Sequence, residues 1–148
     1  MKKVLVAYIS ITGNTEKMAQ WIAEGVRITG NEAELRKISE LKDAKTLDGF
    51  DGYIFGSPTY HRDMVEPMKT FLFMAKKGNL KGKVGAAFGS NTHSGDAAKS
   101  IFDTMEFVYQ MDMVDLGPFN LVESSIDKRE GMRSCHDYGK AVGQKVGA

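Results

Sequence analysis

Residues 4–26 read VLVAYISITGNTEKMAQWIAEGV. The stretch opens with a continuous apolar and aromatic run from Val4 to Ile9, which is typical of a strand buried on both faces of a parallel sheet. A polar turn follows, and Met18, Ile22 and Val26 then recur at helical spacing. The stretch therefore predicts a buried strand that passes through a short polar loop into an amphipathic helix.

The same alternation of apolar runs and helical patterns continues to the end of the chain. Further strands are predicted at residues 33–38, 52–55, 83–88 and 114–122. A short helix is predicted from Ser39, and longer helices are predicted over 65–76, 95–111 and 127–146. Such alternation indicates a parallel sheet covered by helices on both faces, and right-handed crossovers favour the strand order 2-1-3-4-5. We therefore predict one α/β domain over residues 1–148, a three-layer sandwich around a five-stranded parallel sheet.

The composition excludes several functional classes. The 148 residues are 42% hydrophobic and 26% charged, which is a globular balance. Lys and Arg number 20 against 19 Asp and Glu, so no basic excess indicates a nucleic acid or an acidic membrane surface. The one cysteine fits a reducing compartment, and the first apolar run is too short for a signal peptide or a membrane span. We expect a cytoplasmic protein that binds neither nucleic acid nor membranes.

The loop after the first strand has the residue types of a phosphate site. Ligands of such sheets bind beyond the carboxyl ends of the strands, so the loops after strands 1, 3 and 4 are the candidates. Ser10-Ile11-Thr12-Gly13-Asn14-Thr15 ends at a helix amino terminus, where unpaired N–H groups and the helix dipole favour an anion. An ordinary capped helix would show the same residues. The glycine patterns of P-loops and of dinucleotide-binding folds are absent.

The other two loops offer an aromatic face and small polar groups. Gly56-Ser57-Pro58-Thr59-Tyr60-His61-Arg62-Asp63 carries a stiffening proline and a tyrosine that can stack on a flat ring or, alternatively, cover the core. Gly89-Ser90-Asn91-Thr92-His93-Ser94-Gly95-Asp96 combines two glycines, small polar residues and one imidazole. A solvated loop that caps the next helix would look the same.

Taken in order along the chain, these loops resemble those of the flavodoxin family. Ser10-x-Thr12-Gly13-Asn14-Thr15 is similar to the loop that binds the FMN phosphate in flavodoxins. Gly56 to Tyr60, Gly85 to Ser90 with Ser94-Gly95, and Cys135 to Lys140 resemble the flavodoxin-like domain of flavodiiron proteins, the A-type flavoproteins. The diiron domain of those proteins has no counterpart in this sequence. The resemblance therefore implies a flavodoxin-like fold and a free-standing FMN module, without the iron site that reduces oxygen or nitric oxide.

The resemblance also implies which residues bind FMN. The phosphate would lie on Ser10, Ile11, Thr12, Gly13, Asn14 and Thr15. The isoalloxazine ring would lie between the second and third loops, against Ser57, Pro58, Thr59, Tyr60, His61, Ser90, Asn91, Thr92, His93, Ser94 and Gly95. Relatives commonly have an aromatic residue, often Trp, where this chain has His93, and flavodoxins tend to be strongly acidic whereas this chain is near neutral. No metal ligand and no catalytic residue is expected.

The implied function is electron transfer. FMN would pass through its oxidised, semiquinone and hydroquinone forms between iron–sulfur or flavin proteins, and we expect a monomer. An alternative is a flavodoxin-like NAD(P)H:quinone oxidoreductase, although the short connection after strand 4 leaves little chain for a quinone and nicotinamide pocket. A receiver-type regulatory domain needs acidic residues at the end of the first strand, where this chain has Ser10-Ile11-Thr12.

Overall fold

A computed structural model describes all 148 residues of the chain. Its strands are β1 (Lys3–Tyr8), β2 (Glu32–Lys37), β3 (Gly52–Gly56), β4 (Thr59–Tyr60), β5 (Asp63–Met64), β6 (Val84–Asn91), β7 (Asp112–Met113) and β8 (Phe119–Val122). Its helices are α1 (Asn14–Ile28), α2 (Glu66–Ala75), α3 (Asp96–Asp103), α4 (Glu123–Ile126) and α5 (Arg129–Gly147). None of the helices is both long enough and apolar enough to cross a membrane.

The sheet has the predicted order. β2, β1, β3 and β6 lie side by side and parallel, and β6 is paired on its other side with β8. With β6 as the fourth strand and β8 as the fifth, the predicted order 2-1-3-4-5 is confirmed. The connection from β1 runs towards one sheet edge and the connections from β3 and β6 run towards the other. Right-handed crossovers therefore place α1 on one face and α2 and α3 on the opposite face.

The core is continuous across the sheet. Forty buried apolar side chains form one cluster, and β1 is fully buried from Val4 to Ala7, as its unbroken apolar sequence predicts. β2 lies at the sheet edge and is only partly buried, in keeping with its polar sequence. Helices α1 and α5 pack backbone against backbone, since a Cβ on Gly139 would lie 2.0 Å from the Ile22 carbonyl oxygen.

The last strand is split, and one tyrosine fills the gap. β7 pairs with β6 at Val84 and Gly85, and β8 pairs with it from Phe88 onwards, so Ala87 has no partner strand on that side. The Tyr138 hydroxyl accepts a hydrogen bond from the Ala87 N–H at 3.2 Å and lies 3.0 Å from the Ala87 carbonyl oxygen. It lies 2.7 Å from the Gly117 carbonyl oxygen, which belongs to the interruption itself. Of the strand predicted over 114–122, only Phe119–Val122 forms a strand, while residues 114–118 form a turn and the short strand β7 lies before the predicted range.

Several other boundaries differ from the sequence prediction. The fourth strand continues beyond Phe88 to Asn91, and the helix predicted over 95–111 ends at Asp103 and continues as a single π-helical turn over Thr104–Val108. The helix predicted from Ser39 is replaced by two 3-10 turns, Ile38–Glu40 and Ala44–Leu47. Three short elements were not predicted, the β4–β5 hairpin, strand β7 and helix α4.

Candidate cofactor-binding site

The three loops singled out from the sequence lie together at one edge of the sheet. Strands β1, β3 and β6 are adjacent and parallel, with Tyr8 opposite Gly56 and Gly56 opposite Phe88. Backbone hydrogen bonds extend the pairing beyond the strands, from the Ile9 N–H to the Gly56 carbonyl at 3.1 Å and from the Ser57 N–H to the Phe88 carbonyl at 3.3 Å. The residues that follow each strand therefore leave the sheet side by side.

The first loop is folded around the Ser10 hydroxyl. Its oxygen accepts hydrogen bonds from the N–H groups of Gly13 at 3.1 Å and Glu16 at 3.2 Å, and its own O–H remains able to donate. Gly13 precedes helix α1 with φ +96°, a left-handed conformation that glycine adopts without strain. A Cβ at Gly13 would meet no atom within 4 Å, so the loop requires glycine for its backbone conformation rather than for space.

Peptide donors remain available in this loop. The N–H groups of Thr12, Asn14 and Thr15 have no acceptor within the protein. The Asn14 side-chain amide donates to the Thr12 hydroxyl at 3.2 Å, and the Ile11 side chain is 58% exposed. Three unpaired N–H groups at the positive end of a helix, with no basic side chain among them, form a neutral cradle that suits a phosphate.

A buried hydroxyl pair connects the first loop to the third. The Thr15 and Ser90 hydroxyls lie 2.9 Å apart, and both residues are only 1% exposed. The Thr15 hydroxyl therefore faces the end of β6, while the N–H of the same residue is one of the three unpaired donors of the first loop. Ser90 and Asn91 are residues of β6 and both are buried. The third loop proper is consequently the four-residue connection Thr92–Gly95.

The second loop is a hairpin rather than an open loop. Thr59 and Tyr60 pair antiparallel with Met64 and Asp63, and the two residues at the tip, His61 and Arg62, have φ +52° and +61°. Turns of this kind normally contain Asn-Gly, Asp-Gly or Gly-Gly, which is why the sequence did not reveal a hairpin here. Tyr60 is 37% exposed, and its two neighbours at the tip are exposed as well.

Buried polar contacts hold the base of this hairpin. The Ser57 hydroxyl donates to the Pro58 carbonyl at 2.9 Å and accepts the Val65 N–H at 3.4 Å. The Thr59 hydroxyl accepts the Ala97 N–H at 3.1 Å, which connects the second loop to the first turn of α3. The second and third loops are thereby fixed to each other at their bases, while Tyr60, His61, Thr92 and His93 extend outwards.

The structure adds one residue that the sequence reasoning missed. The Asn120 side-chain oxygen is buried and has no hydrogen-bond partner. Asn120 lies in β8 directly against Gly95, where a Cβ on the glycine would be 2.4 Å from the Asn120 Cγ. Its position early in the fifth strand, two residues after Pro118, was the available signal. An acceptor without a donor at this edge fits a site that a polar ligand completes.

The charges near the loops are mixed, and several of them pair within the protein. The Lys69 ammonium donates to the Asp63 carboxylate, with Nζ and Oδ2 2.5 Å apart, and this hydrogen bond lowers the pKa of the Asp63 carboxyl. The Tyr8 hydroxyl donates to Glu16 at 2.9 Å, and burial together with this carboxylate raises the Tyr8 pKa to about 12. No group of three His, Cys, Asp or Glu side chains in the chain could hold a metal ion. The site offers hydrogen-bond donors and flat side chains.

Comparison with known sequences agrees with this geometry. The family model described as Flavodoxin matches residues 6–116. A flavodoxin of Clostridium saccharobutylicum is 39% identical over 88 residues, which is 60% of this chain and 55% of that protein, so the match spans about half of that relative's length. An NAD(P)H dehydrogenase (quinone) of Gluconacetobacter diazotrophicus is 33% identical over 147 residues, covering 81% of this chain and 73% of that protein.

Solved structures show the same fold. A flavodoxin from the domain Archaea superposes with a TM-score of 0.90 at 28% identity, and the match covers 99% of both chains. The flavodiiron protein of Giardia intestinalis gives a TM-score of 0.85 at 25% identity, covering 99% of this chain and 36% of that one. The predicted flavodoxin-like fold, and the predicted likeness to part of a flavodiiron protein, are both confirmed.

Proposed function

The chain belongs to the flavodoxin family, and from that membership we propose that it binds FMN and carries electrons between redox proteins. The observation that supports FMN most directly is the first loop. Three unpaired N–H groups surround a left-handed glycine at the start of α1, and the Ser10 hydroxyl, which accepts the Glu16 N–H, leaves these three groups free. Such a cradle suits the phosphate that distinguishes FMN from riboflavin.

The proposed binding residues divide between two parts of the cofactor. The N–H groups of Thr12, Asn14 and Thr15, with the O–H of Ser10, would hold the phosphate. The isoalloxazine ring would lie between the β4–β5 hairpin and the Thr92–Gly95 connection, with Tyr60 and His93 as flat neighbours. The remaining proposed contacts are Ile11, Gly13, Ser57, Pro58, Thr59, His61, Ser90, Asn91, Thr92, Ser94 and Gly95.

The cofactor supplies the redox chemistry when bound, and the protein supplies binding, orientation and exclusion of water. The buried bases of the second and third loops provide the orientation, because Thr59 and the Ala97 N–H connect them rigidly. The exposed tip of the hairpin leaves one side of the site open to another protein. We propose that iron–sulfur or flavin proteins dock there, and that the carrier is a cytoplasmic monomer.

An anaerobic reductive titration tests electron transfer. The FMN-loaded protein is reduced in measured electron equivalents while its visible spectrum is recorded. A one-electron carrier should show two resolved one-electron steps, with free FMN in the same buffer as the control. A single two-electron step, with no separation from the behaviour of free FMN, would contradict the proposal.

A second candidate is an NAD(P)H:quinone oxidoreductase, which the 33% identical Gluconacetobacter relative favours. Against it, only four residues, Thr92–Gly95, connect β6 to α3, so this loop adds little wall for a quinone or nicotinamide. NADH oxidation in the presence of benzoquinone distinguishes the two functions. We expect no turnover above that of free FMN, and rapid turnover by the loaded protein would favour the oxidoreductase.

A further inference from the structure

A cavity of about 620 Å³ lies beside the first loop, on the side of the sheet edge where β2 ends. It lies between α2 and the segment that joins β2 to β3, which forms two short 3-10 turns in place of the predicted helix. Its volume lies within the range of small-molecule sites in proteins. None of the residues assigned above to the isoalloxazine ring lines this cavity, which shares only Ser10 with the proposed cofactor site.

The apolar lining of the cavity comes from three elements. β1 and its continuation contribute Ile9, the first 3-10 turn and the residue after it contribute Ile38 and Leu41, and α2 contributes Phe71 and Met74. An aromatic ring beside a flexible thioether suits a flat aromatic ligand, because sulfur and ring faces both make favourable contacts with ring edges.

Positive side chains outnumber negative ones in the polar lining of the cavity. Lys37 and Lys42 both line the cavity and neither forms an ion pair in the protein. The one carboxylate in the lining is Glu16, whose Oε2 accepts the Tyr8 hydroxyl at 2.9 Å. Two unpaired ammonium groups on one short segment, facing an apolar wall, are complementary to a ligand with a single negative charge at one end.

We propose that this cavity is a second ligand site, and that it takes a flat aromatic molecule carrying one carboxylate or sulfonate. The ring lies against Phe71 and Met74, and the anionic group lies towards Lys37 and Lys42, away from Glu16. Burial of the ring supplies most of the affinity. The two lysines select the charged form over a neutral analogue.

NMR of the FMN-loaded protein with ¹³C-labelled methionine methyl groups tests the proposal, with 2-naphthoate as the probe. Met74 lines the cavity, whereas Met64 packs beside Leu72 and Phe73 in a different surface hollow. We expect the Met74 methyl resonance to shift to saturation while that of Met64 stays unchanged. Because Met74 reports on this cavity whether or not flavin is bound, failure of FMN binding would not be confused with failure of this site.

Two comparisons examine the charge requirement. Replacing Lys37→Gln and Lys42→Gln together should weaken naphthoate binding roughly three- to thirtyfold, since each exposed ion pair contributes about 0.3–1 kcal/mol. The matched control is Lys81→Gln with Lys83→Gln, two lysines just before β6 that neither line the cavity nor form an ion pair, and it should leave binding unchanged. The neutral probe 2-naphthalenemethanol should bind the native protein about as weakly as naphthoate binds the Lys37/Lys42 double variant.

Three results would overturn the proposal. The first is a Met74 resonance that does not move as naphthoate is added. The second is an equal shift of Met64, which marks non-specific binding. The third is a lack of selection for an anion. It would be seen as equal affinity for naphthoate and naphthalenemethanol, or as an affinity for naphthoate that the lysine substitutions leave unchanged.

Discussion

Thr15 and Ser90 form the buried polar contact between the first and third loops. Their hydroxyl oxygens are 2.9 Å apart and each residue is 1% exposed. Each hydroxyl therefore depends on the other, because water does not reach them and a buried hydroxyl without a partner is costly. The pair connects the start of helix α1 to the end of β6, next to the proposed phosphate cradle.

Removing both hydroxyls of this pair should cost less stability than the sum of the two single removals. We expect Thr15→Val and Ser90→Ala each to lower the free energy of unfolding by about 1–3 kcal/mol, because each leaves a buried hydroxyl unsatisfied. The double variant should lose less than the sum of the two, because no orphaned hydroxyl remains. Urea denaturation of the flavin-free protein measures all three values.

Thr12→Val is the matched control, since Thr12 is exposed and the change should stay within about 0.5 kcal/mol. Strict additivity of the two buried substitutions would show that the Thr15 and Ser90 hydroxyls do not depend on each other.

At this scale the sequence predicted residue types but not partners. The Ser-x-Thr-Gly-Asn-Thr pattern predicted that the first loop is a phosphate cradle, because helix amino termini and hydroxyl side chains follow local rules. The contact from Thr15 to Ser90 spans 75 positions, and nothing local specifies it. Asn120 was missed for the same reason, since its contact with Gly95 exists only once β8 lies beside β6.

Among the elements, the β4–β5 hairpin contains the least favourable backbone. Its tip residues, His61 and Arg62, both have positive φ, a conformation that costs a non-glycine residue about 1 kcal/mol or more. The turn persists because the base of the hairpin is fixed by Ser57 and by the contact between Thr59 and Ala97. The strain sits where the proposed site meets the solvent.

Replacing the tip by the residues that this turn prefers should stabilise the protein. We expect His61→Asn with Arg62→Gly to raise the free energy of unfolding by about 1–2 kcal/mol, because both positions then accept positive φ. Thermal denaturation of the flavin-free protein is the measurement. Arg62→Ala is the control, because it removes the side chain and keeps the strained conformation, and it should give no gain. A gain as large in Arg62→Ala would attribute the effect to the side chain instead.

The elements also show which boundaries a sequence can reveal. The buried strands and the long helices were predicted because their periodicity extends over many residues. The hairpin was missed because its tip contains neither Gly nor Asn. The continuation of β6 to Asn91 was missed because Gly89 suggests a loop. In the structure Gly89 lies within the strand, and the lack of a side chain leaves room for the Ser57 carbonyl oxygen, which would be 2.6 Å from a Cβ at this position.

Across the whole molecule, several ionisable groups are buried in their neutral forms. Burial is the main reason that the pKa values of the Tyr8 and Tyr53 hydroxyls and of the Cys135 thiol are raised to about 12. In the unfolded chain these groups ionise nearer their ordinary values of 10.0 and 9.0. In that pH range the unfolded state has therefore lost protons that the folded state keeps.

Alkaline conditions should consequently destabilise the fold. The contribution of these groups is complete below about pH 8, where the thiol and the two phenols are protonated in both states, and it is lost as the pH rises towards about 12, since the unfolded state then binds fewer protons than the folded state. We expect the urea midpoint to fall between about pH 8 and pH 10.5, and to fall less in Cys135→Ala. A midpoint that rises or stays constant over this range would contradict the burial of these groups.

The order of the sheet was predictable from the sequence because alternating strands and helices, with right-handed crossovers, leave few topologies. The cavity beside α2 was not predictable, because part of its wall comes from the segment after β2, where the sequence predicted a helix and the chain forms two 3-10 turns. The central claim is that the unpaired N–H groups of the first loop bind the phosphate of FMN.

The most direct test of that claim is a titration of the flavin-free protein with FMN and, separately, with riboflavin, followed by the change in flavin fluorescence. The account predicts one FMN bound per chain and riboflavin bound roughly 100-fold or more weakly, because charge-assisted hydrogen bonds from the cradle to the phosphate each contribute about 1.5–3 kcal/mol. Equal affinity for the two flavins, or no binding of FMN, would contradict it.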